Sequence, residues 1–484
     1  MTGRVLVVWT VMWGCGPSQP EPSSPSDPSS SSSTELGDPT ADTGLGSTDS
    51  AVTRDTGDSG PWSTGDSGWL PTADTGQPQE VAPGIYRLDG TAADTPATDL
   101  AVLDPLLAEA AVIAFGESVH YSGGFHALRD RAMRYAIEEH GARAVGIEGH
   151  WLIAEENARP YVERCDGTVP EALVGLTFDV WASQEAGDFL SFLCAWNTDH
   201  PDDPVTFFGV DVQAPWLDSR WLLDVFAAVP DGTDGFTGDL AQCAGWGLAP
   251  TELDQDDELW AILTGTGAGI DPLRTSACLD GVAAAEGWVT DQEAELASVD
   301  AETPVLARVA LRSLRTGHLT FANLRDWDPR DEGMAGNFLD LHALRAPDAP
   351  AIYWAHNAHI VASGETLTDS VYPDGWKDAG SHLRDALGDR YVPIALMATD
   401  VTWNWYGQPE QTTSAVAGTV ERRLHGLGEE LLFVDVAVAT ADGSVLPDLA
   451  YPFGHPGTAT GRLADHYDGV LFLAASGPMT YWSP

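Results

Sequence analysis

The residues best suited to chemistry in this chain fall in three short motifs: GESVH (Gly116–His120), IEGHW (Ile147–Trp151) and YWAHNAHI (Tyr353–Ile360). They supply Glu117, His120, Glu148, His356 and His359, with Arg129 nine residues beyond His120. Imidazole takes a proton from water near neutral pH, and a carboxylate on its other nitrogen fixes the tautomer and stabilises the imidazolium. His120 therefore reads as a general base, oriented by Glu117 or Glu148. Arg129 is a fixed cation that either stabilises an oxyanion or holds Glu148 in a bidentate pair; a salt bridge to a helix neighbour is the structural alternative. His356 and His359 are three apart, so one can face a cleft while the other packs behind it, and either could protonate a leaving alkoxide. The same five side chains are ligand types for zinc, manganese or iron, so a metal-assisted hydrolysis stands beside the metal-free one, although HExxH is absent. No GxSxG elbow occurs, and Ser118 reads as a loop residue, which ranks water above serine as nucleophile.

These groups need a scaffold that gathers them. Ala111–Phe115 is a short apolar run stopped by Gly116, a buried strand. Phe125, Leu128, Ala132, Tyr135 and Ala136 then recur three and four apart, one apolar helix face, with Gly141 as its stop. Ala144–Ile147 is a second strand, leading to Glu148. A strand–helix–strand unit puts both strands' carboxyl ends on one sheet edge, which is where open α/β sheets carry ligands. Val205–Gly209 leads a third strand to Asp211, and Ala351–Ala355 leads a fourth to the two histidines. Pro304–Thr316 and Met334–Leu344 read as helices, the second beginning after Arg330 and Asp331. Apolar runs at 392–397, 431–436 and 470–474 complete the sheet, the last two as antiparallel edges. The fold expected over residues 82–484 is a three-layer α/β/α domain with a mainly parallel sheet. It carries a helical insertion or lid at about 230–300, whose Trp246, Trp260 and Trp288 are either core or an apolar wall for a large substrate.

The 484 residues include 73 Asp and Glu against 23 Lys and Arg, a net charge of −50, and Lys377 is the one lysine. Such a chain repels nucleic-acid phosphates and anionic membranes. Val5–Trp13 is an apolar run after Arg4, too short to span a bilayer and consistent with a signal peptide over residues 1–15. Gly14 before Cys15 suits lipoprotein processing, with an ordinary secretory signal as the alternative. Residues 16–81 are Ser, Pro, Asp, Thr and Gly with few large apolar residues, an acidic tether unable to offset the cost of ordering. Asp-Thr-Gly recurs there, which argues against an aspartic-protease triplet, since that needs a rigid paired loop. Cys165, Cys194, Cys243 and Cys278 form no CxxC pair; in an exported chain they allow two disulfides in three connectivities, of which sequence order closes the shortest loops, and free thiols are the alternative.

The three motifs, in this order and with FFGVDVQ and RDEGMAGN between the second and third, resemble the erythromycin esterase family from about Tyr86 to Leu473. The resemblance points to His120 as the base and implies a hydrolase of a small-molecule ester or macrocyclic lactone; the N-terminal segment adds the expectation of an exported, envelope-located protein touching the membrane only through an anchor at Cys15. Family members tend to have Gly directly after the first motif's His and Glu three residues further on, where this chain has Tyr121 and Gly124. A surface binding module that keeps the fold without turnover is the alternative in a different class.

Overall fold

The structure is a computed structural model that describes residues 78–482, apart from 230–231, 234, 245–271, 324–325, 371–373, 405–408, 442–444, 447–449 and 454–458. The signal-like segment, the tether up to residue 77, Trp246 and Trp260 lie outside the described residues.

One mixed sheet organises the domain. Its strands are β1 (Gln79–Ala82), β2 (Ile85–Arg87), β3 (Val112–Phe115), β4 (Ala144–His150), β5 (Thr206–Asp211), β6 (Ala351–Trp354), β7 (Tyr391–Trp403), β8 (Gln411–Ser414), β9 (Leu431–Asp435) and, after the separate hairpin of β10 (Ala450–Phe453) and β11 (Ala459–Arg462), β12 (Gly469–Ser476). The order is β1-β2-β9-β12-β7-β3-β6-β4-β5, with β8 on the far end of β7. From β12 to β5 every pairing is parallel. β1, β2 and β9 extend the sheet antiparallel, and β1 begins inside the last residues assigned to the tether.

The last two strands are not both antiparallel edges. β9 is antiparallel but lies between β2 and β12, whereas β12 is interior and parallel to β7. The sequence carries the reason: Gly469–Ala474 is apolar without alternation, and both faces of that stretch are buried.

Each strand divides its side chains between two apolar layers. Val112 and Ala114 join one cluster while Ile113 and Phe115 join the other, and Ala351 and Tyr353 separate from Ile352 and Trp354 in the same way. The Gly123–His140 helix covers the second layer with the five expected residues and ends at Gly141, whose φ of 68° is the left-handed cap conformation that glycine adopts freely. Helices Pro215–Ala228, Thr303–Ala322 and Asp328–Arg345 cover the first. The connections from β3 to β4 to β5 thus lie on one face, and those returning to β6 and β7 on the other, as crossovers of one hand require. Asp328–Arg345 starts earlier than its apolar spacing suggests, so Arg330 and Asp331 lie in its first turn rather than before it.

The described helices of the insertion, Thr237–Ala244, Pro272–Asp291 and Glu293–Val299, belong to the first layer, and the Cys243–Cys278 disulfide ties the first two. Trp288 packs against Phe226 and Phe236, a core role rather than a substrate wall. Cys165–Cys194 is the second disulfide, so the pairing follows sequence order. Past β12 the chain straps across the start of the Gly123–His140 helix. Gly123 N donates to Gly477 O, Met479 N to Tyr121 O and Gln184 N to Thr480 O, each at 2.9 Å. No helix among the described residues is long and apolar enough to cross a membrane.

Candidate active site

The carboxyl ends of β3, β4, β5 and β6 bring Glu117, His120, Glu148, Asp211, His356 and His359 to one edge of the sheet. The turn after β3 is tight. A Cβ on Gly116 would lie 2.0 Å from Asn357 Oδ1, whose side chain is occupied with the Leu396 backbone: Nδ2 donates to Leu396 O and Oδ1 accepts from Leu396 N. Asn357 N donates to Glu117 O, which fixes the two motif loops against each other.

Glu117 is fully buried and has three cationic or imidazole neighbours. His120 Nδ1 is 2.6 Å from Oε1, Arg129 Nη1 donates to Oε2 at 2.9 Å, and His126 Nε2 is 3.3 Å from Oε2. Burial alone would push this carboxyl up. The Arg129 guanidinium and the contacts with His120 and His126 outweigh it and hold Glu117 well below the usual range. An ionised carboxylate at 2.6 Å places the His120 proton on Nδ1, so Nε2 keeps the lone pair. His120 retains a tenth of its side chain exposed, against none for Glu117.

Arg129 is sealed. Its side chain is 1 % exposed and its guanidinium carbon lies 5.1 Å from the Trp181 ring and 4.5 Å from the Trp354 ring. Among the described residues neither Nε nor Nη2 has a hydrogen-bond partner, and the indole faces take their place. The structure therefore gives Arg129 to Glu117 and not to Glu148, and it keeps this cation away from any oxyanion in a cleft.

The cation on Glu148 is Arg330. Its Nη2 donates to Glu148 Oε1 at 2.8 Å and to Asp211 Oδ2 at 2.6 Å, and its Nε donates to Asp211 Oδ1 at 3.2 Å. The other Glu148 oxygen accepts from His356 N at 2.9 Å. Burial raises the Glu148 carboxyl, but His359, Arg330 and His120 bring it down to about 2.

The two histidines of the third motif differ. His356 Nδ1 accepts from Ala358 N at 3.1 Å, which puts its ring proton on Nε2, and its ring centroid is 4.7 Å from that of His120. Burial and the neighbouring His120 hold it at about 3, so it stays neutral. His359 Nδ1 is 2.6 Å from Asp331 Oδ1, and Nε2 accepts from Arg330 Nη1 at 2.7 Å. Burial disfavours the imidazolium here too, but Asp331 and Glu148 more than offset it, and His359 binds a proton more readily than an ordinary imidazole. To do so its Nε2 must part from Arg330, since two N–H groups cannot face each other at that distance. Asp331 is otherwise satisfied by Trp376 Nε1 at 3.0 Å and Ala379 N at 3.1 Å.

Sequence reasoning thus named six residues that the fold gathers at or directly behind one edge, and noted Asp211 as a third carboxylate. It missed Arg330, Asp331 and His126 as partners. Ser118 is buried, and among the described residues its Oγ has no hydrogen-bond partner. Tyr121 has a φ of 62°, where a glycine would be unstrained, and is held by full burial and by a 3.0 Å bond from its hydroxyl to Asp179. Among the described residues no three His, Cys, Asp or Glu side chains are disposed to hold a metal ion, and the carboxylates at this edge spend their oxygens on arginines, imidazoles and backbone amides.

Residues 137–476, more than half of the chain, match the family model described as erythromycin esterase. The match contains Glu148, Asp211, Arg330, His356 and His359 and begins downstream of Glu117, His120 and Arg129. Three solved structures have this fold. A Bacillus cereus protein superposes with a TM-score of 0.66 at 15% identity, covering 83% of this chain and 97% of that one. A structure titled succinoglycan biosynthesis protein gives 0.65 at 15% identity, with 82% and 96% covered. A histidine-to-asparagine mutant of the erythromycin esterase EreC, in its open conformation, gives 0.63 at 16% identity, with 81% and 97% covered.

Proposed function

Because the chain belongs to the erythromycin esterase family, we propose that it is a carboxylic ester hydrolase that opens an ester or macrocyclic lactone by attack of water activated at His120. The observation that carries this reading is the 2.6 Å bond from His120 Nδ1 to an ionised Glu117, which leaves Nε2 as a base whose imidazolium is stabilised as it forms. In the step proposed, water oxygen bonds to the carbonyl carbon while its proton passes to His120 Nε2. The carbon–oxygen bond to the alcohol then breaks. His359, which takes a proton from solvent on Nε2 as Arg330 withdraws onto Asp211 and Glu148, gives that proton to the departing alkoxide, and the proton held by His120 returns to solvent, so both rings end as they began. His356 stays neutral and offers its Nε2 proton as a hydrogen bond beside the base. Glu117 orients His120, Arg129 positions Glu117, and no step needs a metal.

The proposal extends to location. Two disulfides support export to an oxidising compartment, and the apolar run before Cys15 supports an anchored form at the cell envelope. The test is hydrolysis of macrolide lactones and simple aryl esters by the full chain, for wild type and His120→Ala, with and without chelator. Activity that survives chelation and falls by about 100-fold or more in the variant is expected. Loss on chelation would replace the imidazole base with a metal-bound one. Absence of turnover across the panel, with binding intact, would overturn the hydrolase reading in favour of a binding module.

A further inference from the structure

His126 lies in the first turn of the Gly123–His140 helix, behind Glu117 as seen from His120, and is 2 % exposed. Nothing about an imidazole on the apolar side of a helix asks for catalysis, yet its two nitrogens are both directed. Nδ1 is within hydrogen-bond distance of Ser183 Oγ at 2.8 Å, and Nε2 approaches Glu117 Oε2, the oxygen that also takes Arg129, to 3.3 Å, close enough for charge to act although the pair is not aligned as a hydrogen bond. Its ring stacks on Trp181 with the planes inclined by 28°, and Trp181 and His120 meet edge to face at 82°.

Ser183 is held independently of the site. Its Oγ accepts from Ala186 N at 3.0 Å and so caps the Gln184–Asp199 helix, and its backbone bridges to Tyr481 in the C-terminal strap. With one lone pair of that oxygen taken by Ala186, the hydroxyl proton is placed to donate to His126 Nδ1. The proton of the neutral imidazole then belongs on Nε2, facing the carboxylate. The polar chain therefore runs Ser183, His126, Glu117, His120.

We propose that His126, set by Ser183, is a positioning residue that confines Glu117 and thereby sets the proton affinity of His120. It deepens the hydrolase reading and rests on His120 being the base. Arg129 donates to Oε2 and His126 Nε2 stands 3.3 Å from it, so Oε1 is the oxygen left for His120, and the carboxylate cannot rotate without moving away from both. The ionisable groups facing this unit are Arg129, His126 and Tyr121 toward Glu117, Arg129 and Glu185 toward His126, and His356 and Glu148 toward His120. Removing the His126 contact leaves more of the Glu117 charge for His120, which strengthens its hold on a proton.

The experiment compares His126→Gln, whose amide N–H can reach the position of Nε2, with His126→Asn, whose amide reaches only that of Nδ1, and adds Ser183→Ala. His120 is titrated by NMR with labelled histidine in the free full-length protein, which needs no substrate. Asn at 126 is expected to raise the His120 midpoint by about half to one pH unit, Gln to leave it near wild type, and Ser183→Ala to fall between. On an ester that is turned over, the acid limb of kcat/KM moves by the same amount and kcat falls several-fold with KM nearly unchanged. Equal shifts for Gln and Asn, or none for either, overturn the proposal, because a packing role does not distinguish the two amides. If no ester is turned over but the Gln–Asn split is present, the hydrolase reading fails and the positioning relay stands.

Discussion

Replacing Glu148 by Gln tests the electrostatics of the sheet edge without a substrate. Burial works against the ionised carboxyl, yet His359, Arg330 and His120 hold it at about 2 from an ordinary 4.5. Because the folded value lies below the unfolded one, the stabilisation is fully present above about pH 5 and is lost as pH falls through 2. The depression is worth about 3 kcal/mol at pH 7, and about 2 kcal/mol of that is gone by pH 3, where the unfolded carboxyl is almost wholly protonated and the folded one is not. The variant keeps an acceptor for the His356 amide and leaves Arg330 on Asp211, so no buried charge is orphaned. Urea unfolding of both proteins is measured at pH 7 and pH 3, and the titration of all other carboxylates cancels in the difference. Glu148→Gln should cost about 3 kcal/mol at pH 7 and about 1 kcal/mol at pH 3. A cost that stays constant or grows with acid would mean that Glu148 is not held ionised by these partners.

Three further outcomes follow from single contacts. Arg129→Leu strands an ionised, fully buried Glu117 beside two imidazoles and should cost about 3–5 kcal/mol in urea unfolding; a cost under about 1 kcal/mol would make the Arg129–Glu117 pair dispensable. A Cβ on Gly124 would lie 2.3 Å from Ser476 Oγ, so Gly124→Ala should lower stability by about 1–3 kcal/mol, and Ser476→Gly in the same chain should recover most of the loss. Replacing Cys243 and Cys278 by Ser opens a loop with a sequence separation of 35, worth roughly 4 kcal/mol in the chain-entropy model, seen as a lower thermal midpoint on which reductant then acts only through Cys165–Cys194.

Much of the site was legible because it follows from chain direction. Apolar runs at Ala111–Phe115, Ala144–Ile147, Val205–Gly209 and Ala351–Ala355 each lead into a polar residue, and parallel pairing then puts those residues on one edge. Spacing along the chain does not reveal a partner far away in it. Arg330 is 182 residues from Glu148 and 119 from Asp211, and an Arg-Asp pair opening a helix looks like any solvated end. The sequence leaves Arg129 open between an oxyanion, Glu148 and a helix neighbour for the same reason: its nine-residue spacing from His120 says that it shares the helix, and the helix face that points at Glu117 becomes visible only with the sheet in place. His126, between the apolar Phe125 and Ala127, carried no signal at all. One clue was available and unused. With 23 basic residues against 73 acidic ones, three arginines within six positions of one helix, Arg129, Arg131 and Arg134, are unusual enough in this chain to suggest carboxylates opposite them.

The arrangement of those charges also bears on how the edge would work. Glu148 lies between two similar units, Glu117 with His120 and Asp331 with His359, and each unit has one arginine. The arginines are not equivalent. Arg129 has its single acceptor in Glu117 and is closed off by indoles, whereas Arg330 is shared among Asp211, Glu148 and the His359 ring. Counting Glu117, Glu148, Asp211 and Asp331 against Arg129 and Arg330 leaves the edge negative while both imidazoles are neutral. A proton arriving on His120 or His359 therefore enters a field already oriented to receive it, with no rearrangement of the carboxylates. Arg330 is the part that must yield, because it occupies His359 Nε2 at 2.7 Å and can retreat onto Asp211 without losing a counter-ion. On this argument Arg330→Lys, which keeps the charge but loses the fork, should impair His359 more than His120. The sign would be a displaced His359 titration beside an unchanged His120 one in the same NMR spectrum, and equal displacement of both would contradict the division of the edge into two units.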